Sequence, residues 1–527
     1  MAPDVKNNRR ILCVFPRFSP CFASFHHAFP FFPGAVAFMP PQGILTIAAY
    51  LPHKWEVRVI DENATQLTQA DIDWADAVLV SGMHVQRRRM AEIAQAAHAR
   101  GKLAIAGGSS VSGCPEYHPD FDILQIGEMG DSTDDIIRII DASVERPPEQ
   151  MVLTTSKRLD IDDFPIPAYD KINLNSYLVL NIQWGSGCPF TCEFCDIPEL
   201  YGKRTRTKSI PRLLMELDAI MKQRPVGGIW FVDDNLIGDK KAAKLLMPEL
   251  IDWQGRTGYQ MRLTGEASLN LGEDEDLLAS MKEAYFTDMF LGIETPDAET
   301  LKTISKRQNT RRPIISTIEK LNEYGIEVAG GIIFGFDGET EDQAERAVQF
   351  VEEAKFPLVV LNVLYALPRT PLHRRMQKEG RLIPEDPQSG SNIRFQLPNE
   401  VIGRQLRSSV DRLYDVKALY SRYKHQAEHT YPNRKELPLS RFPITSPAVR
   451  FGARALGRVL WREGVQASYR GEFWKLARNV MADGRPDHLV YIGAMGHHLI
   501  RYREDVLAGR IAESTFSHRE GEMAVAK

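Results

Sequence analysis

Residues 185–196 read Gly185-Ser186-Gly187-Cys188-Pro189-Phe190-Thr191-Cys192-Glu193-Phe194-Cys195-Asp196. Three thiolates on one loop can hold three irons of a cubane iron–sulfur (4Fe-4S) cluster. The fourth iron has no nearby cysteine, and an open coordination site is what a catalytic cluster needs. A structural zinc site closes with four ligands, so zinc would require a distant fourth such as Cys114 or a histidine. The remaining cysteines, Cys13, Cys21 and Cys114, are widely spread. Six cysteines in 527 residues are too few for a secreted disulfide scaffold, so the cluster points to metal in a reducing compartment.

The loop follows an apolar run, LVLNIQW at 178–184, and similar runs recur behind it: GGIWFVDD, YQMRLTGEA, DMFLGIE, EVAGGIIFGF and LVVLNVLYAL. Helical stretches such as PRLLMELDAIMKQ separate them. Repeated βα units with polar or glycine residues at the strand ends predict a full or partial barrel of the TIM type over 176–400, with its site at those ends. An open doubly wound sheet fits the same pattern. Upstream, ILCVF at 11–15, EVRVI at 56–60, AVLVSG at 77–82, LAIAGG at 103–108 and DILQIG at 122–127 predict a Rossmann-like α/β domain over 1–145. Ligands of such sheets lie at the carboxyl ends of the strands. Those ends carry Ser81-Gly82, Gly107-Gly108 and Gly127-Glu128, where small residues let a planar ligand approach the backbone. RPPEQ and FPIPAY mark a linker over 146–175. From 401 to 527 the pattern is mainly helical and rich in arginine and aromatic residues.

A net charge of −4 with 25 % charged residues gives no concentrated basic excess, so no nucleic-acid partner is expected. The N-terminal stretch is unlike a signal peptide, and no run approaches the roughly 20 apolar residues of a membrane span. A cytoplasmic location is expected. Arg450, Arg454, Arg458 and Arg462 recur every four residues beside Trp461. Such a helix suits the anionic surface of an inner membrane, and equally a solvated helix face.

CPFTCEFC matches the CxxxCxxC signature of the radical S-adenosylmethionine superfamily, including the aromatic residue before the last cysteine. The resemblance implies that Cys188, Cys192 and Cys195 hold the cluster and that S-adenosyl-L-methionine chelates the open iron. Phe194 would face the adenine, Asp233 or Asp234 of VDDN, Glu266 and Glu294 of GIET would meet polar groups, and Ile333 and Gly335 would pack along adenine. Each carboxylate is equally suited to capping a helix. The preceding α/β domain is similar to the cobalamin-binding class, which assigns Ser81, Gly82, Gly107, Gly108, Gly127 and Glu128 to cobalamin. The DxHxxG run that supplies a lower histidine ligand is missing, and His84 has the wrong neighbours.

FPIPAY, SGCPFTCEFCDIP, FVDDN, GIETPD, ALPRTPL and GEFWK extend the likeness to the hopanoid C-2 methylase group. What this implies is a methyltransferase acting at an unactivated carbon of a hopanoid or similar lipid, served by a reducing protein such as flavodoxin or ferredoxin. A non-methylating radical enzyme such as a cyclase, or an iron–sulfur carrier or sensor, uses the same three cysteines. Phe22, Phe25, Phe29, Phe31, Phe32 and Phe38 crowd a segment with four prolines. It suits either the lining of an apolar pocket or aromatic packing at a domain interface.

Overall fold

Short apolar runs, several of them followed by small residues, build the first of two parallel sheets. Its strands are β1 (Arg10–Phe15), β2 (Glu56–Asp61), β3 (Ala77–Ser81), β4 (Leu103–Gly107), β5 (Ile123–Ile126) and β6 (Met151–Thr154). They lie in the order β2-β1-β3-β4-β5-β6. The chain is described here by a computed structural model covering residues 3–224, 227–258, 261–386, 390–435, 446–482 and 484–511. Leu12, Val14, Val78 and Val80 face one buried layer, while Ile11, Cys13, Leu79 and Ile105 face another. Apolar residues on both faces are what a helix-covered parallel sheet requires.

The stretch 146–175 does more than link. Met151–Thr154 pairs with β5 in parallel and forms the sheet's edge. Its residues alternate between half-buried and exposed, so only one side packs and its proline-flanked sequence carries little strand signal.

The second sheet contains β7 (Leu180–Ile182), β10 (Gly227–Phe231), β11 (Met261–Ala267), β12 (Phe286–Glu294), β13 (Glu327–Phe334) and β14 (Leu358–Val363). Between the first two of these, β8 (Gly185–Ser186) and β9 (Arg206–Thr207) form a small antiparallel pair whose connection carries the three cysteines. The parallel strands follow one another as β14-β13-β12-β11-β10-β7, and no pairing of β14 with β7 closes the ring among the described residues. The architecture is therefore α/β with a partial barrel. On β11, Met261, Leu263 and Ala267 enter the core, while Arg262, Thr264 and Glu266 face the other way and stay partly accessible. Tyr259 and Gln260 of that expected run lie outside the described residues, as do 436–445 and 512–527 of the C-terminal region.

Beyond the barrel come helices Asn399–Leu413, Val416–His429, Pro447–Trp461, Arg470–Ala482 and Pro486–Leu507. They share one apolar core with the barrel. Among the described residues, no helix is long and apolar enough to cross a membrane.

The phenylalanine-rich segment is anchored by backbone hydrogen bonds from Val36 and Ala37 to Ser176, and from Leu178 to Ala37, just ahead of β7. Phe25 stacks on Phe38 with centroids 4.4 Å apart, and Phe38 meets Trp230 of β10 edge-on. Phe22 packs against Tyr414 and Tyr502. The segment therefore joins the barrel to the C-terminal helices by aromatic packing.

Candidate active site at the opposed strand ends

The cysteine loop is held from several directions. Gly187 has φ +89°, and a Cβ there would lie 2.7 Å from the Arg204 carbonyl, so only glycine turns the chain at this point. Its N–H donates to Asp234 at 2.8 Å, and the amides of Trp184 and Gly185 donate to Asp233. Glu193 binds Arg375 through both carboxylate oxygens, at 2.6 and 3.0 Å. These contacts fix the loop before any ligand binds.

Two amides approach the sulfurs: Asn235 Nδ2 donates to Cys188 Sγ at 3.9 Å and Gln308 Nε2 to Cys192 Sγ at 3.6 Å. Burial pushes the Cys188 and Cys195 thiols up, so the thiolate state requires a compensating positive centre. A metal cluster is such a centre, and the three-thiol set with amide donors fits it. Lys306 lies 5.7 Å over the Phe194 ring and donates to Glu294. Burial alone would lower its pKa, but Glu294 and the thiols of Cys192 and Cys195 raise it above the ordinary lysine value. A fixed cation thus stands beside the sulfurs.

Glu294 ends β12 with φ +68°, a strained conformation for a residue with a side chain. A Cβ on Gly292 would lie 2.7 Å from both Glu294 Oε1 and Lys306 Nζ. Gly292 therefore leaves the space that the ion pair fills. The Glu266 side chain, near the end of β11, makes no hydrogen bond among the described residues, and burial with the Asp234 charge pushes it up to about 7. Asp234 is pushed up to about 6, first by burial and then by Asp196 and Glu128. Ile333 lies partly buried on β13, between the fully buried Ile332 and Phe334. Gly335 has φ +104°, and a Cβ there would meet the Phe395 ring at 2.5 Å.

The glycine-rich ends of the first sheet come to the same region. A cavity of about 200 Å³ is lined by Ser81, Gly107, Gly108 and Gly127 on one side and by Gln183 and Tyr201 from the barrel domain. Gly108, at φ +92°, would place a Cβ 2.6 Å from Ser81 Oγ. Gly127, at φ +98°, would place one 3.2 Å from Thr155. Glycine at these two positions lets the strand-end loops pack closely and present backbone to the cavity, an arrangement that fits a large planar ligand. Gly82 is not among the lining residues; a Cβ on it would meet Met90 at 2.9 Å. Glu128 also lines the cavity, with both carboxylate oxygens held by Arg206 and with Arg158 2.8 Å away. His84 is buried, and its Nε2 lies 3.3 Å from the Tyr365 hydroxyl just beyond β14. The two sets of strand ends therefore face one another.

Asn235, Lys306, Gln308 and Arg206 are absent from the residues singled out in the sequence. Asn235 lies in the VDDN run already noted. Lys306 and Gln308 sit in a polar turn, SKRQNT, that has no distinctive spacing of its own.

Comparison with known proteins agrees with this arrangement. The model of the radical SAM superfamily matches residues 182–351, and a domain of unknown function matches 370–512. The hopanoid C-2 methylase of Rhodopseudomonas palustris (strain TIE-1) is 43 % identical over 99 % of both chains. Among solved structures, the radical S-adenosylmethionine methyltransferase TsrM of Kitasatospora setae superposes with TM-score 0.57 at 14 % identity, covering 90 % of this chain and 100 % of TsrM. OxsB, solved with aqua-cobalamin and S-adenosylmethionine, gives TM-score 0.57 at 15 % identity over 96 % of this chain and 82 % of OxsB.

Proposed function

The chain belongs to the hopanoid C-2 methylase family within the radical S-adenosylmethionine superfamily, and from that premise we propose that it methylates an unactivated carbon of a hopanoid with the help of cobalamin. The observation that carries this reading is the opposition of two strand-end faces, one bearing three cysteines and the other a glycine-lined cavity. A saturated carbon offers no acidic proton, so the reaction needs a hydrogen-abstracting radical and a separate methyl donor. When bound, the cluster with S-adenosylmethionine supplies the first and cobalamin the second.

On this reading the protein's own residues have these roles. Cys188, Cys192 and Cys195 hold the cluster, while Asn235 and Gln308 orient two of the sulfurs. Phe194, Asp234, Glu266, Glu294 and Ile333 surround S-adenosylmethionine. Gly335 keeps its end of β13 in place against Phe395. Ser81, Gly107, Gly108 and Gly127 admit cobalamin to the backbone of residues 1–145, and Gly82 supports that loop from behind. Glu128, through Arg206, would hold the cavity wall against the cysteine loop. A reducing protein of the flavodoxin or ferredoxin type supplies the electron that starts each turnover.

Lipid access gives the arginine-rich helix a role. At 100° per residue, Arg450, Phe451, Arg454, Arg458, Trp461 and Arg462 fall within an arc of about 120°, and all six are exposed. Pro447–Trp461 contains no acidic residue. Phe451 stacks on Phe32, and Arg458 donates to the Pro30 carbonyl at 3.3 Å, so this face adjoins the phenylalanine-rich segment. Cations interleaved with aromatics suit an anionic membrane surface. Flotation of the full chain with anionic vesicles, lost in Arg454→Glu/Arg458→Glu and absent with neutral vesicles, is the expected result. Equal flotation with both vesicle types would reject the proposal.

The function is tested by anaerobic reconstitution with iron, sulfide and cobalamin, followed by reduction and assay with a hopanoid. Wild type should form 5'-deoxyadenosine and methylated hopanoid, and Cys192→Ala neither. Deoxyadenosine without methylation would favour a non-methylating radical enzyme, and no cleavage with an intact cluster would favour a carrier or sensor.

A further inference from the structure

Far along the chain from the cysteines, three histidines and an aspartate gather where the phenylalanine-rich segment meets the last helix. His27 Nε2 lies 2.7 Å from Asp505 Oδ2. The rings of His26 and His27 are 4.0 Å apart, and that of His498 is 5.8 and 6.0 Å from them. One ligand atom from each of His26, His27 and Asp505 lies within 4.8 Å of the others.

The hydrogen bonds fix which ring nitrogens remain available. The Ser24 hydroxyl lies 2.7 Å from the Cys21 carbonyl and 2.6 Å from His26 Nδ1. With Nδ1 engaged there, Nε2 is the His26 nitrogen left to bind an ion, in the tautomer in which Ser24 donates to the carbonyl. His498 is fully buried, and its Nε2 meets the Phe22 carbonyl at 2.9 Å. A carbonyl only accepts, so His498 is protonated on Nε2 and carries its lone pair on Nδ1. That Nδ1 is buried with no partner among the described residues. An imidazole whose N–H is tied to a backbone carbonyl or hydroxyl, with the other nitrogen bare, is the usual preparation of a metal ligand. An unpaired buried nitrogen otherwise costs about 1–3 kcal/mol.

We infer that His26, His27 and Asp505 bind a divalent transition-metal ion of the zinc class, with the buried His498 ring packed 5.8 and 6.0 Å from the two imidazoles. Two or three imidazoles and one carboxylate are the donor set such an ion takes. Tetrahedral bonds of about 2.0–2.1 Å place ligand atoms roughly 3.4 Å apart, a separation that side-chain rotation can reach here. The His27–Asp505 hydrogen bond is replaced: Nε2 gives its proton to solvent while Nδ1 carries the ring's one N–H, so the neutral imidazole offers the Nε2 lone pair and both Nε2 and Asp505 Oδ2 bind the ion. Arg510 Nε holds the other Asp505 oxygen at 2.7 Å and orients the carboxylate. The ion ties the loop bearing Phe25 to helix Pro486–Leu507, and so holds the aromatic segment against the barrel. This site is independent of the methyl-transfer reading.

The test is calorimetric titration of metal-free full-length protein with Zn²⁺. Cys188→Ala, Cys192→Ala and Cys195→Ala are present throughout so that the cluster thiols do not compete. One equivalent should bind, raising the thermal midpoint, and His27→Gln and Asp505→Asn should each weaken binding by more than roughly 100-fold. Asp505→Asn is isosteric, and its metal-free circular dichroism and thermal midpoint show whether the fold is kept. Equal Zn²⁺ affinity in the parent and in a folded Asp505→Asn protein, or no binding by the parent, would overturn the inference.

Discussion

Glu128, just beyond β5, and Arg206, on the small antiparallel pair that carries the cysteine loop, join the first sheet to that loop: one guanidinium nitrogen lies 2.8 and 2.7 Å from the two carboxylate oxygens. The carboxylate also receives Ser186 Oγ at 3.3 Å, next to the cysteine loop. A charge-assisted clamp of this kind fixes distance as well as contributing energy.

Glu128→Gln should therefore uncouple the two halves of the reaction. The expected result is 5'-deoxyadenosine formation near the wild-type rate, with methylated product falling by about tenfold or more, as a small misplacement at a reacting centre costs. Measuring both products in one assay gives the ratio. A parallel fall in both would assign Glu128 to folding alone.

Lys306 and Glu294 are both nearly buried, at 9 and 10 % side-chain exposure. Lys306→Met leaves a carboxylate unpaired and should destabilise the cofactor-free protein by about 3–5 kcal/mol. Adding Glu294→Gln should recover part of that loss, because a neutral pair needs no counter-charge. A double-mutant cycle in urea checks it.

Gly108→Ala puts a Cβ against Ser81 Oγ at a φ of +92°, where side chains are strained. Cobalamin binding should weaken by more than about tenfold, equivalent to 1.4 kcal/mol, while the cluster's absorption is kept. Reconstituting both cofactors and reading their spectra separately tests this.

The acids behind the cysteine loop set a pH dependence. Asp233 and Glu266 are pushed up to about 7 and Asp234 to about 6, each first by burial. The folded state therefore binds more protons than the unfolded chain between their ordinary values near 4 and these raised ones. Cofactor-free stability should fall as pH rises through that window and then level off above about pH 7. Glu266→Gln should reduce the fall by about 1–3 kcal/mol, the lower end reflecting its partial exposure. Urea melts from pH 4.5 to 8 provide the comparison.

What the sequence makes legible is what local spacing encodes. Three cysteines within eight residues, and glycines at the ends of apolar runs, are short-range patterns, and they mark both ligand-facing regions. Pairings across the fold are not encoded that way. Glu128 is legible as a strand-end residue, but nothing local signals its partner Arg206, which is 78 residues on. Gln308 reaches the Cys192 sulfur, and Lys306 the Glu294 carboxylate, from a turn without apolar periodicity. The edge strand Met151–Thr154 is hidden by its proline-rich flank, since one-sided packing needs few apolar residues. The phenylalanine segment is visible as composition, but only tertiary packing places it against Trp230 and the last helix.

The most direct test uses S-adenosylmethionine labelled in its methyl group, a hopanoid, a reductant and the cluster-loaded protein, with and without cobalamin. The account predicts labelled methyl in the hopanoid only when cobalamin is present, accompanied by 5'-deoxyadenosine. Labelled product of equal yield without cobalamin would contradict it.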